Sequence, residues 1–408
     1  MLSNMKRLAG LLVLLIGSIL FILLMYTNVD LIPQEITKNP KRLYSNRNTF
    51  STSRKNVASG EEFKKVLSSA FARQSKAVKV MLVGRMRTGS TFIGEILNQN
   101  RNLFYLFEPL HWIDVQKRKG LLNEWTSFKA ETLKLLHDLS KCVFPSSFIH
   151  GTAMWPLARS KSKDVSPICK QSSACKKAEP DSFSKACAKV GGNIAMKFIR
   201  SDIEVLRSLV EEEHTNVKII HLVRDPRGTA NSRRSYYGKK ALRLNGSLPT
   251  LGKMGLLIEN NPRRMNTIPQ LCQWMRNTLS YAIKRPKWLE GRYKILRYED
   301  FSVNPLEMTE KIYKFIGLPL PTNVKEWLVS NTNSQISKKP TLFSTSRNSS
   351  YTATSWRSSL SLEEVLHVQH LCSDVMAELG YVKIYNEADL INSSVPLLTS
   401  FEFGNFIL

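Results

Sequence analysis

The segment from residue 78 to residue 97 constrains this chain more than any other. Val78-Lys79-Val80-Met81-Leu82-Val83 is a short apolar run with a single charge, the pattern of a buried strand. Gly84-Arg85-Met86-Arg87-Thr88-Gly89 follows as a loop. Ser90-Thr91-Phe92-Ile93-Gly94-Glu95-Ile96-Leu97 then sets apolar residues at helical spacing. The same alternation runs on. Strand patterns occur at 103–107, 194–198, 217–223 and 293–297. Helical ones occur at 121–139, 203–213 and 268–284. Asn304, Pro305 and Glu307 predict a capped helix start, with Gly317 and Pro319 at its end. Ser361 and Glu364 predict a second capping box, in a helix that Gly380 ends. Such alternation predicts an α/β fold, a mostly parallel sheet with helices on both faces.

The 84–91 loop has the glycine spacing of a phosphate-binding loop, G-x-x-x-x-G-K-[ST], with Ser90 where the lysine belongs. Backbone amides and the helix start still cradle an anion there. The lysine of that motif reaches β- and γ-phosphates. Its loss suits a ligand with one phosphate and one further small group, such as a 5′-phosphosulfate, with Arg85 and Arg87 supplying the charge. The bland alternative is a βα turn with a capping serine.

A second segment, Ile219-Ile220-His221-Leu222-Val223-Arg224-Asp225-Pro226-Arg227-Gly228-Thr229-Ala230-Asn231-Ser232-Arg233-Arg234, ends a buried strand at Arg224. After a turn at Asp225-Pro226 it carries Ser232 about two turns into a short helix. Arg224 and Ser232 then sit where one phosphate could be clamped, at the ligand-binding edge of a parallel sheet. Taken alone, a surface arginine beside a capping aspartate explains this segment equally well.

Together the two segments resemble the 5′-phosphosulfate and 3′-phosphate motifs of sulfotransferases. The first is similar to the R-[TS]-G-S-[ST]-F form of the Golgi galactose/N-acetylglucosamine/N-acetylgalactosamine 6-O-sulfotransferase family, near its keratan sulfate and chondroitin members. Phe104-Tyr105-Leu106-Phe107-Glu108-Pro109-Leu110, Leu296-Arg297-Tyr298-Glu299-Asp300, Arg347-Asn348-Ser349, Trp356-Arg357-Ser358-Ser359-Leu360 and Glu378-Leu379-Gly380-Tyr381 extend the likeness from about 78 to near 400. One departure stands out. The family order Glu-Pro-Leu-aromatic-His is here Glu108-Pro109-Leu110-His111-Trp112.

The resemblance implies a phosphate-loop-like sulfotransferase fold and 3′-phosphoadenosine 5′-phosphosulfate (PAPS) as sulfuryl donor, with no metal. The acceptor it implies is the 6-hydroxyl of a galactose, N-acetylglucosamine or N-acetylgalactosamine in a glycan or glycosaminoglycan. Glu108 is the expected general base and His111 its competitor; the bland alternative for Glu108 is a helix-capping or salt-bridged carboxylate. Arg85, Met86, Arg87, Thr88, Gly89, Ser90, Thr91 and Phe92 form the 5′ site, in which Arg87 and the amides stabilise the leaving phosphate. Arg224 and Ser232 hold the 3′-phosphate, and Trp356 and Arg357 close over the nucleotide.

Compartment follows from the other end of the chain. Residues 8–26 are 19 uncharged residues preceded by Lys6 and Arg7, close to the length that spans a bilayer. A cleaved signal peptide would have a shorter apolar core and a small-x-small site. The reading is a cytoplasmic tail at 1–7, a signal anchor at 8–26 and a polar stem at 27–76. A luminal catalytic domain follows at 77–400, with a Cys-containing insertion at 145–190. This topology implies a single-pass Golgi membrane protein. Acceptor tripeptides at Asn245, Asn348 and Asn392, and six cysteines that allow 15 pairings, suit that compartment. None of the cysteines has the CxxC spacing of a zinc site. The net charge of +26 favours a polyanionic partner; in the lumen that means an acidic glycan rather than nucleic acid. Oligomeric state is left open. The competing function is a non-enzymatic binder of acidic glycans. A kinase would want the missing lysine, and a metal-dependent glycosyltransferase an Asp-x-Asp that this chain lacks.

Overall fold

The computed structural model describes residues 77–122, 124–212, 215–243, 267–332 and 349–408. The segments read as an anchor at 8–26 and a stem at 27–76, and the tripeptides at Asn245 and Asn348, lie outside the described residues. Among the described residues no helix is long and apolar enough to cross a membrane.

In chain order, β1 (Val78–Val83) enters α1 (Ser90–Gln99). β2 (Phe104–Phe107) precedes α2 (His111–Arg118) and α3 (Trp125–Ser140). α4 (Pro180–Lys189) leads to β3 (Ile194–Phe198). β4 (Asn216–Val223) enters α5 (Pro226–Arg243), followed by α6 (Ile268–Lys284). β5 (Tyr293–Arg297) precedes α7 (Pro305–Ile316), α8 (Thr322–Thr332) and α9 (Leu362–Leu371). The five strands form one parallel sheet in the order β2-β3-β1-β4-β5. Side chains of a strand alternate between faces, so the core divides in two. Met81, Val83, Met196 and Ile219 pack towards α3, α4 and α6. Val80, Leu82, Ala195 and Leu222 pack towards α1, α7 and α8. This is the α/β architecture that the alternation predicts.

The predicted caps form. Asn304 accepts the Glu307 amide at the start of α7, and Gly317 ends that helix in the left-handed region. Ser361 and Glu364 close a reciprocal box on α9. Thr267 and Gln270 do the same for α6, a signal the sequence reading passed over.

Three predicted helices are shorter than expected. The one placed at 121–139 begins only at Trp125. That placed at 203–213 is a 3-10 turn, Ile203–Leu206, and one α-turn, Arg207–Glu211. The Thr215 hydroxyl donates to the Leu209 and Glu212 carbonyls and stops it there. The helix expected to reach Gly380 breaks at Cys372, which is bonded to Cys272 of α6; Ser373–Glu378 forms a separate short helix.

The 145–190 segment is mostly helical, with a π-turn at Phe148–Ala153 and α4 at its end. Cys142–Cys187 and Cys169–Cys175 pin it, and its Phe148 and Phe183 pack together with Phe144 just before it. It also reaches the sheet. Asp164 accepts the Tyr105 amide at 2.9 Å and Ser162 the Phe107 amide at 3.1 Å. These are outward-facing donors of the edge strand β2.

Candidate active site

Four strand ends converge at the C-terminal edge of the sheet. β1 delivers the loop 84–89, tied down where the Gly84 amide donates to the Phe198 carbonyl at 3.0 Å. Thr88 closes the loop on itself, its hydroxyl 2.8 Å from the Arg85 carbonyl. Gly89 caps α1 at φ 97° without a side-chain cap. A Cβ there would lie 2.4 Å from the Tyr298 ring, so only glycine fits. The first amides of α1, at Ser90 and Thr91, have no acceptor within the helix and suit an anion. Phe92 faces the other way, against Phe301 and Trp327.

Arg87 is also left-handed, at φ 72°. Its Nε donates to Ser232 Oγ at 2.9 Å. Arg224, at the end of β4, donates through Nη1 to the Arg87 carbonyl at 3.0 Å and through Nη2 to the Thr352 carbonyl at 2.8 Å. The two segments that the sequence assigns to the two phosphates therefore touch. Arg85 lies apart from them. It reaches Asp202 and the Ile199 carbonyl, each at 3.4 Å, and packs over Trp274. Met86 contributes its carbonyl, which accepts from Arg233.

Glu108 follows β2 directly, buried and left-handed at φ 51°. Oε1 accepts from Lys197 at 2.7 Å and Oε2 from Arg200. Arg200 also holds Asp114 at 3.0 Å. Burial alone would raise the Glu108 pKa, but Lys197 and Arg200 hold the carboxyl below its usual range. Three residues on, His111 stacks on Trp155 with ring centroids 3.8 Å apart. Burial, reinforced by Arg200, pushes this imidazole down to about 4, and its Nδ1 has no hydrogen-bond partner. Trp112 takes a different place, over Gly151.

Trp356 and Arg357 correct an expectation. Trp356 is buried beneath the Arg227 guanidinium, 4.2 Å from its ring centroid. Arg357 donates to the carbonyls of Asp389, Leu390, Asn392 and Val395. The first is core and the second ties down a distant segment, so neither is free to close over a ligand.

The turn that carries Arg224 rests on Glu299. Its Oε1 accepts the Asp225 amide at 3.1 Å and its Oε2 the Tyr381 hydroxyl at 3.0 Å. Burial, and then the Asp225 carboxylate, push Glu299 up to about 7, with Arg224 opposing. Between 4.5 and 7 the folded protein thus holds a proton that the unfolded chain releases, and stability falls as pH rises through that window. The loss from this group is about 3 kcal/mol. In urea unfolding, Glu299→Gln should erase that loss, so its advantage over wild type grows from pH 4.5 to pH 7 and then levels. Parallel stability curves for the two proteins would contradict a neutral Glu299.

A profile of the sulfotransferase domain matches residues 78–380. This chain belongs to the sulfotransferase family. Its relatives include "Carbohydrate sulfotransferase 1" of Mus musculus, 29% identical over 82% of this chain and 86% of the relative. "Carbohydrate sulfotransferase 3" of Tetronarce californica is 30% identical over 91% and 88%. "Carbohydrate sulfotransferase 3" of Homo sapiens is 31% identical over 80% and 71%.

Within this sulfotransferase the residues fit an anionic donor. Arg224 Nε and Thr229 Oγ1 are buried without hydrogen-bond partners; Arg224 bonds to the Arg87 carbonyl, and Thr229 lies three residues before Ser232 on α5. Such donors suit phosphate oxygens. The sequence reading missed Lys197, Arg200 and Trp155. The first left a signal: a lysine inside Ile194–Phe198, a strand buried throughout, demands a counter-charge.

Proposed function

We propose that this enzyme transfers the sulfuryl group of PAPS to the 6-hydroxyl of a galactose, N-acetylglucosamine or N-acetylgalactosamine in a glycan. We place it in the Golgi lumen, anchored through residues 8–26. The observation that carries the reading is the contact of Arg87 with Ser232 and Arg224, which gives one donor a 5′ grip and a 3′ grip. The relatives' names support a carbohydrate acceptor.

When bound, PAPS supplies the sulfuryl group and a bisphosphate that leaves. The chain does the rest by positioning and by electrostatics. Arg87 and the amides at the start of α1 hold the 5′ side. Arg224, Thr229 and Ser232 hold the 3′-phosphate. Glu108 takes the proton of the acceptor hydroxyl. As its charge is neutralised, Lys197 loses its counter-ion and turns its positive charge to the oxygens at the reaction centre, while Arg200 stays paired with Asp114.

The test is transfer of labelled sulfate from PAPS to a panel of desulfated glycans, with linkage mapping. In a binding assay, 3′-phosphoadenosine 5′-phosphate should bind far better than ATP without magnesium. Arg224→Ala should weaken it by about 1.5–3 kcal/mol, the worth of a charged hydrogen bond. Equal affinity of the wild type for ATP would overturn the donor assignment.

A further inference from the structure

A cleft of about 280 Å³ opens beside Arg85, close to the lower end of small-molecule sites, roughly 300 Å³. It lies at the same sheet edge as the candidate active site, because Arg85 follows β1 and Asp202 follows β3. Arg200, two residues before Asp202, holds Glu108, and the Arg85 guanidinium feels the charges of both Arg200 and Asp114. The residue that lines the cleft, Asp202, and the one that holds the base, Arg200, thus stand two positions apart in the chain segment after β3.

Its chemistry is that of a polyhydroxylated, acidic ligand. One wall is α6, which presents Gln270, Gln273 and Asn277 to the cleft at spacings of three and four that share a helix face. Gln273 and Asn277 are exposed at the rim, 2.9 Å apart. Primary amides both donate and accept, as vicinal hydroxyls do. Trp274 lies between them in the chain and carries the Arg85 guanidinium 5.1 Å from its ring. Arg85 is held by Asp202 only at 3.4 Å, a long contact for an ion pair that an anion could displace. An apolar ligand would strand these groups unpaired.

We propose that this cleft holds the sugar next to the one being sulfated in a polymeric acceptor, with an acidic group of that sugar against Arg85. The inference rests on the carbohydrate sulfotransferase reading and adds a length and charge requirement to it.

The test uses the full chain and steady-state kinetics on four acceptors: desulfated chondroitin chains, which carry carboxylates, desulfated keratan chains, which are neutral, and a monosaccharide glycoside of each. The variant Gln273→Ala/Asn277→Ala alters only exposed side chains and should fold. Its KM for the polymers should rise about tenfold, as for two lost hydrogen bonds, while KM for PAPS and for the monosaccharides stays put. Arg85→Gln should raise KM for chondroitin more than for keratan. Unchanged polymer KM in the double variant would overturn the cleft and leave the enzyme's function standing. So would a rise in KM for PAPS in parallel, which would assign the cleft to the nucleotide. Equal effects of Arg85→Gln on both polymers would overturn the acidic contact. No transfer by the wild type to any acceptor would overturn the function, and the cleft with it.

Discussion

Glu108→Gln should lower turnover by roughly 10²–10⁴, the usual worth of a general base, and should leave affinity for 3′-phosphoadenosine 5′-phosphate nearly unchanged. Arg87, Arg224 and Ser232, which grip the nucleotide, do not bond to Glu108. The substitution also has a structural cost. Lys197 is fully buried, and Glu108 is the acceptor of its ammonium. Leaving that cation without a counter-charge should cost about 3 kcal/mol. Turnover and unfolding must therefore be read together. Adding Lys197→Met to Glu108→Gln removes both charges of the pair and should recover most of the lost stability, while turnover stays low. Recovery of turnover in the double variant would show that Glu108 serves the fold and not the chemistry. His111→Ala is the control. A collapse there, with Glu108→Gln near wild type, would move the base to the imidazole, which burial keeps neutral down to about pH 4.

The second large effect is expected far from the chemistry. Replacing Cys272 and Cys372 by serine should destabilise the protein by about 4–5 kcal/mol, the chain-entropy value for a loop of this size. The bond closes a separation of 100 residues and joins α6 to the end of α9. Both cysteines are fully buried, so the serine hydroxyls would add an unpaired polar group to the loss. Urea unfolding with and without the bond measures the difference. The pair Cys169–Cys175 spans only 6 residues and should matter about half as much on the same argument. Equal losses from the two would contradict an entropic origin.

Much of this molecule is legible in its sequence because the decisive signals are local. Val78–Val83 followed by two glycines fixes the strand, the loop and the start of α1. The caps at Asn304 and Ser361 rest on side chains three residues apart. What the sequence could not show depends on strand order. Lys197 of β3 meets Glu108 at the end of β2 because those strands are neighbours, and no periodicity in the chain states that adjacency. The 145–190 segment read as a Cys-containing insertion, and nothing in its pattern announces that its Trp155 stacks on His111. Arg357 misled for the same reason: its carbonyl partners lie more than thirty residues on, in a stretch with no pattern to announce it. Arg85 and Arg87 are two residues apart and look equivalent on paper. The left-handed backbone at Arg87 sends them to different partners.

The side chains that meet β2 also bear on how copies of this protein can associate. An outer strand with free amides is a template on which a second chain can add its own strand, and such edges are where sheets fuse and aggregates begin. Here Asp164 and Ser162 already occupy the amides of Tyr105 and Phe107. They come from a segment stapled by disulfides on either side. On this flank the sheet cannot be continued by a neighbour, so any pairing of subunits there has to proceed through side chains rather than through backbone.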